Sequence, residues 1–472
     1  MNKKAIIWFR QDLRIHDNEA IYDALHSTNE IIPVFVFDIR TFKGKTSFNF
    51  PKTGKFRIQF IIDAIKDLRA TLNEKGLPLI VRIGKPEVII PEIATTYKTS
   101  WIFCNRERTT EELYVQDQLE AKMWTIGQEV RYSRGKMLYY TADLPFPITH
   151  TPDSFTTFRK EVEKITPIRK PIESDFEAAT TGAPDLEEGT IPELVEFGMD
   201  LDFVPFLKGG ETEALHRLNY YLWKSQRIVS YKETRNESNG MDYSSKFSAY
   251  LSQGCLSPKK IMFELIKFEN ERVKNDSTYW MFFELLWRDF FRLMAKKYEE
   301  KIFLNGGIKN SPRDDLSNND KLFQIWADGK TGYPYIDAHM RQLNATGFMS
   351  NRGRQNVASF LINNLLVNWQ LGAEYFESLL IDYDPCSNWG NWNYLAGVGT
   401  DPREQRVFNI VKQSKRYDLE AKLIRKWCPE LDALPSNIIH YPASSSDEVL
   451  SEYGIILGKD YPKPIIKAVT TA

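Results

Sequence analysis

Five strand-like runs alternating with stretches of helical spacing fill the first 135 or so residues, and they restrict the fold sharply. Ala5-Ile6-Ile7-Trp8-Phe9 and Ile31 to Phe37 are continuous apolar runs, as strands buried on both faces should be. Phe56 to Leu72 has apolar residues at helical spacing (Phe56, Phe60, Ile61, Ala64, Ile65, Leu68, Leu72) and stops at Gly76. Leu79-Ile80-Val81 reads as a strand, Pro86 to Tyr97 as a helix and Trp101 to Cys104 as a strand. Thr110 to Ile126 reads as a helix capped by Thr110, and Glu129 to Tyr132 as a further strand. This alternation predicts a doubly wound parallel sheet. No GxGxxG follows the first strand, which argues against a dinucleotide phosphate site there. Arg10, Asp12, Arg14 and Asp17 cluster just past that strand, where open α/β sheets bind ligands. A loop network of ion pairs would explain them equally well.

A chain of 472 residues should hold two or three domains. From Thr166 to Leu207 the composition shifts to Pro167, Pro171, Gly182, Pro184, Gly189 and Pro192 with acidic Glu187-Glu188, which reads as a connection draped over the surface. From Glu211 onward helical spacing dominates, and after Leu434 the chain turns irregular. The expected division is an α/β domain over 1–135, a connector over 136–210, an all-α domain over 211–434 and a short tail over 435–472. The formal net charge is −1, so nucleic acid would have to be bound by a local basic patch. Cys104, Cys255, Cys386 and Cys428 form no CxxC pair, which argues against a metal site or a disulfide framework and suits a reducing compartment. No stretch reads as a signal peptide or a membrane span, so a cytoplasmic protein and a monomer are expected.

The most informative stretch is Gly347 to Gly399. Gly347-Phe348-Met349-Ser350 leads into Asn351-Arg352-Gly353-Arg354, and a long apolar helix is expected to run on to about Trp369. Being apolar almost all round from Val357 to Val367, it must be buried. A second helical run ends in the acidic turn Leu380-Ile381-Asp382-Tyr383-Asp384-Pro385, and Ser387 to Tyr394 reads as a polar, aromatic loop. Arginine and paired aspartates carried inward by such helices are costly unless matched.

The strings GFMSNRGRQ, LLIDYDPCSNWGNW and AGVGTDPREQRVF resemble the flavin-binding core of the photolyase and cryptochrome family, most closely its DASH branch. The resemblance extends, more weakly, from Ala5 to about Leu434. It implies an all-α C-terminal FAD-binding domain and blue or near-UV light-driven repair of cyclobutane pyrimidine dimers. Around FAD it assigns Ser244, Ser245, Lys246, Phe247 and Ser248 to the diphosphate, with Tyr231 nearby and Arg288 on a helix beside it. A Ser-rich turn opening a helix suits such a group through free N–H groups and hydroxyls, although on its own it reads as an over-capped helix start. Arg354 is expected to pair with Asp382, Asp384 to lie near the ring edge, and Asn388 to face N5, where an amide can donate or accept. Asn351 borders both flavin and lesion. Trp8 to Asn18 matches the family's opening signature, and Glu107 falls at its antenna carboxylate, which implies 5,10-methenyltetrahydrofolate as second chromophore.

For the lesion, the resemblance names Glu284 as the hydrogen-bonding carboxyl and Trp287 as the stacking indole, three apart on one helical face, with Met349 and Asn351 lining the cavity. Tyr394 stands where duplex-active photolyases have a second tryptophan. Stacking is worth about 1–3 kcal/mol per base, while flipping a base from a duplex costs roughly a few. The smaller ring therefore favours single-stranded DNA, with RNA as a further candidate partner. Arg341 to Phe360, Arg403 to Arg406, Lys412, Lys415 and Arg416 would supply a phosphate-tracking rim. A 6-4 photolyase needs a histidine at the lesion, and none occurs between His339 and His440. A blue-light photoreceptor or transcriptional regulator is the serious alternative. Trp392 and Trp369 match the first two members of the family's electron-transfer chain; Leu316 stands at the third.

Overall fold

A computed structural model of the chain describes residues 3–200, 202–400 and 407–466. Five strands, β1 (Lys4–Phe9), β2 (Glu30–Asp38), β3 (Ile80–Gly84), β4 (Trp101–Asn105) and β5 (Glu129–Ser133), form a sheet ordered β3-β2-β1-β4-β5. All neighbours are parallel, with Ala5 opposite both Ile31 and Trp101. The chain winds outward from β1 first in one direction and then, after β3, in the other, so right-handed crossovers place the helices before β3 on one face and those after it on the opposite face. Helices Pro86–Tyr97 and Thr110–Thr125 close one face through Ile90, Ile93, Val115, Leu119 and Met123, which pack with Ile6, Trp8, Val34 and Ile102. The expected sheet is therefore present. The cap of Thr110–Thr125 is Thr109, not Thr110: its N–H donates to Glu112 at 3.3 Å, the third residue of the helix.

The connector is more than a surface drape. Thr180–Thr181 forms β6, pairing with Glu30 and Ile31 of β2. Leu194 is fully buried, and the ring of Phe197 lies 5.5 Å from Phe37 and 5.4 Å from Phe42. Apolar side chains among the prolines, Ala183 and Leu186 as well as Leu194 and Phe197, anchor it to the core.

Packing separates two units. Unit one comprises Met1–Val229, Ser245–Glu300 and Ile381–Ser387; unit two comprises Ser230–Ser244, Lys301–Leu380 and Asn388–Ala472. Unit one adds helices Glu211–Asn219, Phe247–Ser252, Pro258–Glu271 and Asp276–Tyr298 to the sheet. The last begins at Asn275, whose side chain accepts from the N–H groups of Ser277 and Thr278. Unit two is built from Asp320–Ala327, Pro334–Thr346, Asn351–Ser359, Trp369–Leu379, Ile410–Tyr417 and Lys422–Trp427. Among the described residues no helix is long and apolar enough to cross a membrane.

Two expected elements differ. The apolar helix does not reach Trp369: after Ser359 it widens into a π turn, Leu365 N–H bonding to Phe360 at 3.0 Å, and Leu366 turns to φ 51°. Ser317 then takes up the freed backbone, donating to Leu366 and accepting from Asn368, whose own side chain caps Trp369–Leu379. The stretch is buried as expected except at Leu366, which is exposed at the break, and Asn368 starts a new helix there. The polar loop over Ser387 to Tyr394 is instead part of helix Pro385–Ala396. Asp384 accepts from Ser387 N–H at 2.8 Å, and proline suits the first helical turn, so Asp-Pro was a helix start.

Candidate functional site

In unit one, helix Asp276–Tyr298 carries the expected residues at helical spacing. Glu284, Trp287 and Arg288 are half-buried. Trp287 stacks on Phe155, with centroids 3.7 Å apart and planes 8° off parallel, so one face of the indole is already covered. Arg288 donates to the carbonyls of Lys136 (2.6 Å) and Leu251 (3.2 Å), tying the segment after β5 to the end of helix Phe247–Ser252. The next residue, Asp289, accepts from the N–H groups of Leu138 and Tyr139, and burial raises its carboxyl to about 6.

Glu107 and Asp384 also belong to unit one, and both carboxylates are buried. Lys136 pairs with Glu107, and Arg292 reaches Glu107 at 3.3 Å and Asp384 at 2.9 Å. Burial alone would raise both carboxyls. For Glu107, Lys136 and Arg292 outweigh it and hold the group at about 2; for Asp384, Arg292 and Arg288 hold it below its ordinary value. Arg292 and Lys136 were not singled out in the sequence.

The loop after β1 turns inward on itself. Asp12, Arg14 and Asp17 are buried; Arg14 donates to the carbonyls of His16, Asp17, Gly135 and Gly254, and Asp17 pairs with Lys259 at 2.7 Å. This is a structural network.

The expected diphosphate residues Ser245, Lys246, Phe247 and Ser248 open helix Phe247–Ser252. Lys246 is buried yet held at φ 62°, a left-handed conformation that costs a non-glycine residue about 1–2 kcal/mol. Arg217 fixes the turn by donating to the Ser245 carbonyl at 2.9 Å. A buried ammonium beside exposed and half-buried hydroxyls is a donor set that suits a diphosphate.

In unit two, Tyr231 opens the turn Tyr231–Thr234, and Thr234 donates to the carbonyl of Tyr243, next to Ser244. Ser350 caps helix Asn351–Ser359, accepting from Gly353 N–H at 3.1 Å. Asn351 is exposed, Met349 is fully buried, and Arg354 donates to the Met349 carbonyl at 2.9 Å. Beneath the first turn lies His339, fully buried; a Cβ on Gly353 would sit 2.5 Å from its Nδ1, so only glycine fits. Burial pushes the His339 ring down to about 3 despite the neighbouring Gln342 side chain.

Asn388 donates to the Ala373 carbonyl at 3.0 Å. One turn on, Trp392 meets Phe376 edge-on at 5.2 Å and lies over Gly372, where a Cβ would come within 2.3 Å of the indole. Trp369 meets Trp389 at 5.8 Å and 78°, and Trp389 meets Phe303 at 5.0 Å. Trp389 was missed; its WGNW spacing to Trp392 was the available signal. Tyr394 and Leu316 are half-buried.

The basic rim is smaller than expected in one place. Arg341 is committed to Glu430 at 2.7 Å and to two carbonyls, so it is a structural residue. Arg352 and Arg416 both lie over Tyr417, at 4.7 and 5.3 Å, and Arg352 donates to Asn236. Lys412 and Lys415 share the helix of Arg416 and Tyr417. Arg403 and Arg406 lie outside the described residues.

Residues 5–177 match the DNA photolyase family, and residues 280–472 match the FAD binding domain of DNA photolyase. Cryptochrome DASH of Gloeobacter violaceus is 44% identical over 478 aligned residues, covering 100% of this chain and 94% of that protein. The crystal structure of a Synechocystis cryptochrome superposes with a TM-score of 0.95 at 46% identity, covering 98% of this chain and 96% of that one. A bacterial class III photolyase from Agrobacterium tumefaciens superposes with a TM-score of 0.85 at 28% identity, covering 99% and 95%. With a parallel-sheet domain, a helical FAD-binding domain and relatives that match over nearly their whole length, the chain belongs to the photolyase and cryptochrome family, alongside the DASH cryptochromes.

Proposed function

We propose that the chain is a light-driven lyase that splits cyclobutane pyrimidine dimers and prefers them in single-stranded DNA. The observation that carries this reading is the pairing of Glu284 with Trp287 one turn apart, both half-buried, with Phe155 backing one indole face. A base stacks best on an aromatic ring held rigidly from behind, and a carboxyl on the same helix face can hydrogen-bond a pyrimidine edge. When bound, reduced FAD supplies the electron under blue or near-UV light. The residues of this chain do the rest. Ser244 to Ser248 and Arg288 serve the diphosphate end, Tyr231 lies nearby, and Arg354, Asp382, Asp384 and Asn388 serve the ring. Asn351, Met349 and Tyr394 shape the lesion side, while Arg352, Lys412, Lys415 and Arg416 track phosphates. Glu107 is carried as the antenna residue, for a folate that must share a carboxylate two cations already hold.

The relatives' name, cryptochrome, favours a second reading as a blue-light photoreceptor. The two separate on one measurement, light-dependent loss of dimers from single-stranded and duplex DNA. Repair several-fold faster on single strands is expected; equal rates would refute the strand preference, and no repair on either substrate would refute the enzyme reading. Glu284→Gln should lower repair per absorbed photon several-fold even at saturating DNA, while DNA affinity changes by no more than about fivefold, because one hydrogen bond adds only about 1 kcal/mol to binding.

A further inference from the structure

One guanidinium in unit one serves two carboxylates that are distant in sequence. Arg292 donates from one terminal nitrogen to Asp384 at 2.9 Å and faces Glu107 with the other at 3.3 Å. The three side chains are 2%, 5% and 3% exposed, so water screens none of them. Lys136 pairs with the other oxygen of Glu107, so at hydrogen-bonding distance the two carboxylates share two cations, with Arg292 alone reaching both. Neither carboxylate can move off independently. Asp384 caps helix Pro385–Ala396 through Ser387 N–H, and the chain at Glu107 is held by its own N–H donating to Gln116 at 2.7 Å. A hydrogen-bonded chain locked in place and kept from water passes a change of charge from one end to the other.

We propose that Arg292 is a positioning residue that couples the two chromophore sites. Charge or ligand contact at Glu107 changes how strongly Arg292 holds Asp384, and so how readily flavin beside Asp384 is reduced. The inference rests on the assignment of Glu107 to the antenna and Asp384 to the flavin edge made above. Coupling of this kind is reciprocal, so reduction of the flavin also alters antenna affinity.

The test uses the full chain with bound FAD and reads the ratio of reduced to oxidised flavin at a fixed electrode poise. Wild type, Glu107→Gln, Arg292→Lys and the double variant complete the cycle. Glu107→Gln should shift that ratio about tenfold in the wild-type background, within the usual range of coupling between sites. With Arg292→Lys the same change should shift it less than about twofold, because one ammonium cannot serve both carboxylates in a fork. Arg292→Gln, which keeps hydrogen bonding without charge, replaces the lysine variant should that one fail to retain flavin. Equal shifts in both backgrounds would mean a plain long-range field and overturn the coupling, as would no shift in wild type. Loss of stability without change in the ratio would mark Arg292 as merely structural. A wild-type chain that binds no FAD would overturn the flavin assignment as well, which separates the two failures.

Discussion

Unit one holds its expected site residues by charge and unit two holds its own by shape. Around Arg292, buried ions fix one another: Glu107, Lys136 and Asp384 have partners at hydrogen-bonding distance and almost no exposure. Around Gly353 and Gly372, neutral rings fix the backbone: His339 fills the space under one glycine and Trp392 the space over the other. Charge gives direction across distant segments but is unforgiving when one partner goes, since the other is left buried and alone. Shape tolerates loss of a polar atom but not an extra methyl. Substitutions should therefore fail differently in the two regions.

The sharpest break is expected at Arg292. Arg292→Met leaves Glu107 and Asp384 without their shared cation and should lower stability by about 3–5 kcal/mol, measured by denaturant unfolding at neutral pH. A loss below about 1 kcal/mol would mean that Lys136 and Arg288 suffice, and that unit one is not held by this pairing.

His339 offers the opposite lever, because it is buried neutral. Unfolded, its ring takes a proton near 6.5; folded, only near 3. Between those values the unfolded state binds more protons, so stability falls as pH drops through the window, by roughly 1.4 kcal/mol per unit at most. His339→Met should flatten that dependence between pH 6.5 and 3, leaving the carboxylate-driven loss below about 5 that comes from Glu107. An unchanged pH profile would show that the ring protonates in place and that unit two tolerates charge there.

A smaller effect is expected from Gly353→Ala. The new methyl would lie 2.5 Å from His339 Nδ1 and 2.9 Å from Met349 Cγ, and overpacking of this kind costs about 1–3 kcal/mol. Gly353→Ala combined with His339→Ala should recover most of the loss, since the second change empties the space the methyl needs. Without recovery, the remaining contact with Met349 Cγ rather than the one with the ring would be the cause.

How much of this was legible varied by interaction range. The sheet was readable because each buried strand writes an apolar run, and the run after β1 was correctly placed at the strand's end. Helix ends were harder. Thr109 and Thr110 are both plausible caps, and Glu112 three residues on decides for Thr109. Helix Pro385–Ala396 was hidden by its Asn, Gly and Trp content, and the break at Leu366 by an apolar run that continues straight through it. The strings carrying the family resemblance named many expected site residues. Arg292 and Glu107 are separated by 185 positions, and no local pattern announces an ion pair of that range. Trp389 and His339 went unread because an indole or imidazole in an apolar context reads first as core.

The smallest expected effect on stability, and the most specific on chemistry, lies along the tryptophans of unit two. Trp392 is fixed by Gly372 and Phe376, while Trp369 touches Trp389, which touches Phe303. Leu316, half-buried, stands where the family resemblance implies an outer tryptophan, and an aliphatic side chain cannot carry an electron hole. Photoreduction of bound FAD should therefore be inefficient in wild type. Tyr333 is a weak substitute exit: it packs on Phe360 and Tyr441, and its hydroxyl donates to the Ile466 carbonyl at 3.3 Å, too weak a base to take the phenol's proton on oxidation. Leu316→Trp should change stability by less than about 0.5 kcal/mol, as expected for a site outside the core, and raise the photoreduction yield several-fold in transient absorption with reductant present. Trp392→Phe should abolish what wild type retains. Repair by chemically reduced enzyme should persist in both variants, because the electron that splits a dimer passes from flavin to lesion without entering this path. A high yield in wild type that survives Tyr333→Phe but falls with Trp389→Phe would move the exit to Trp389, showing that packing in unit two had replaced the missing residue with a different indole.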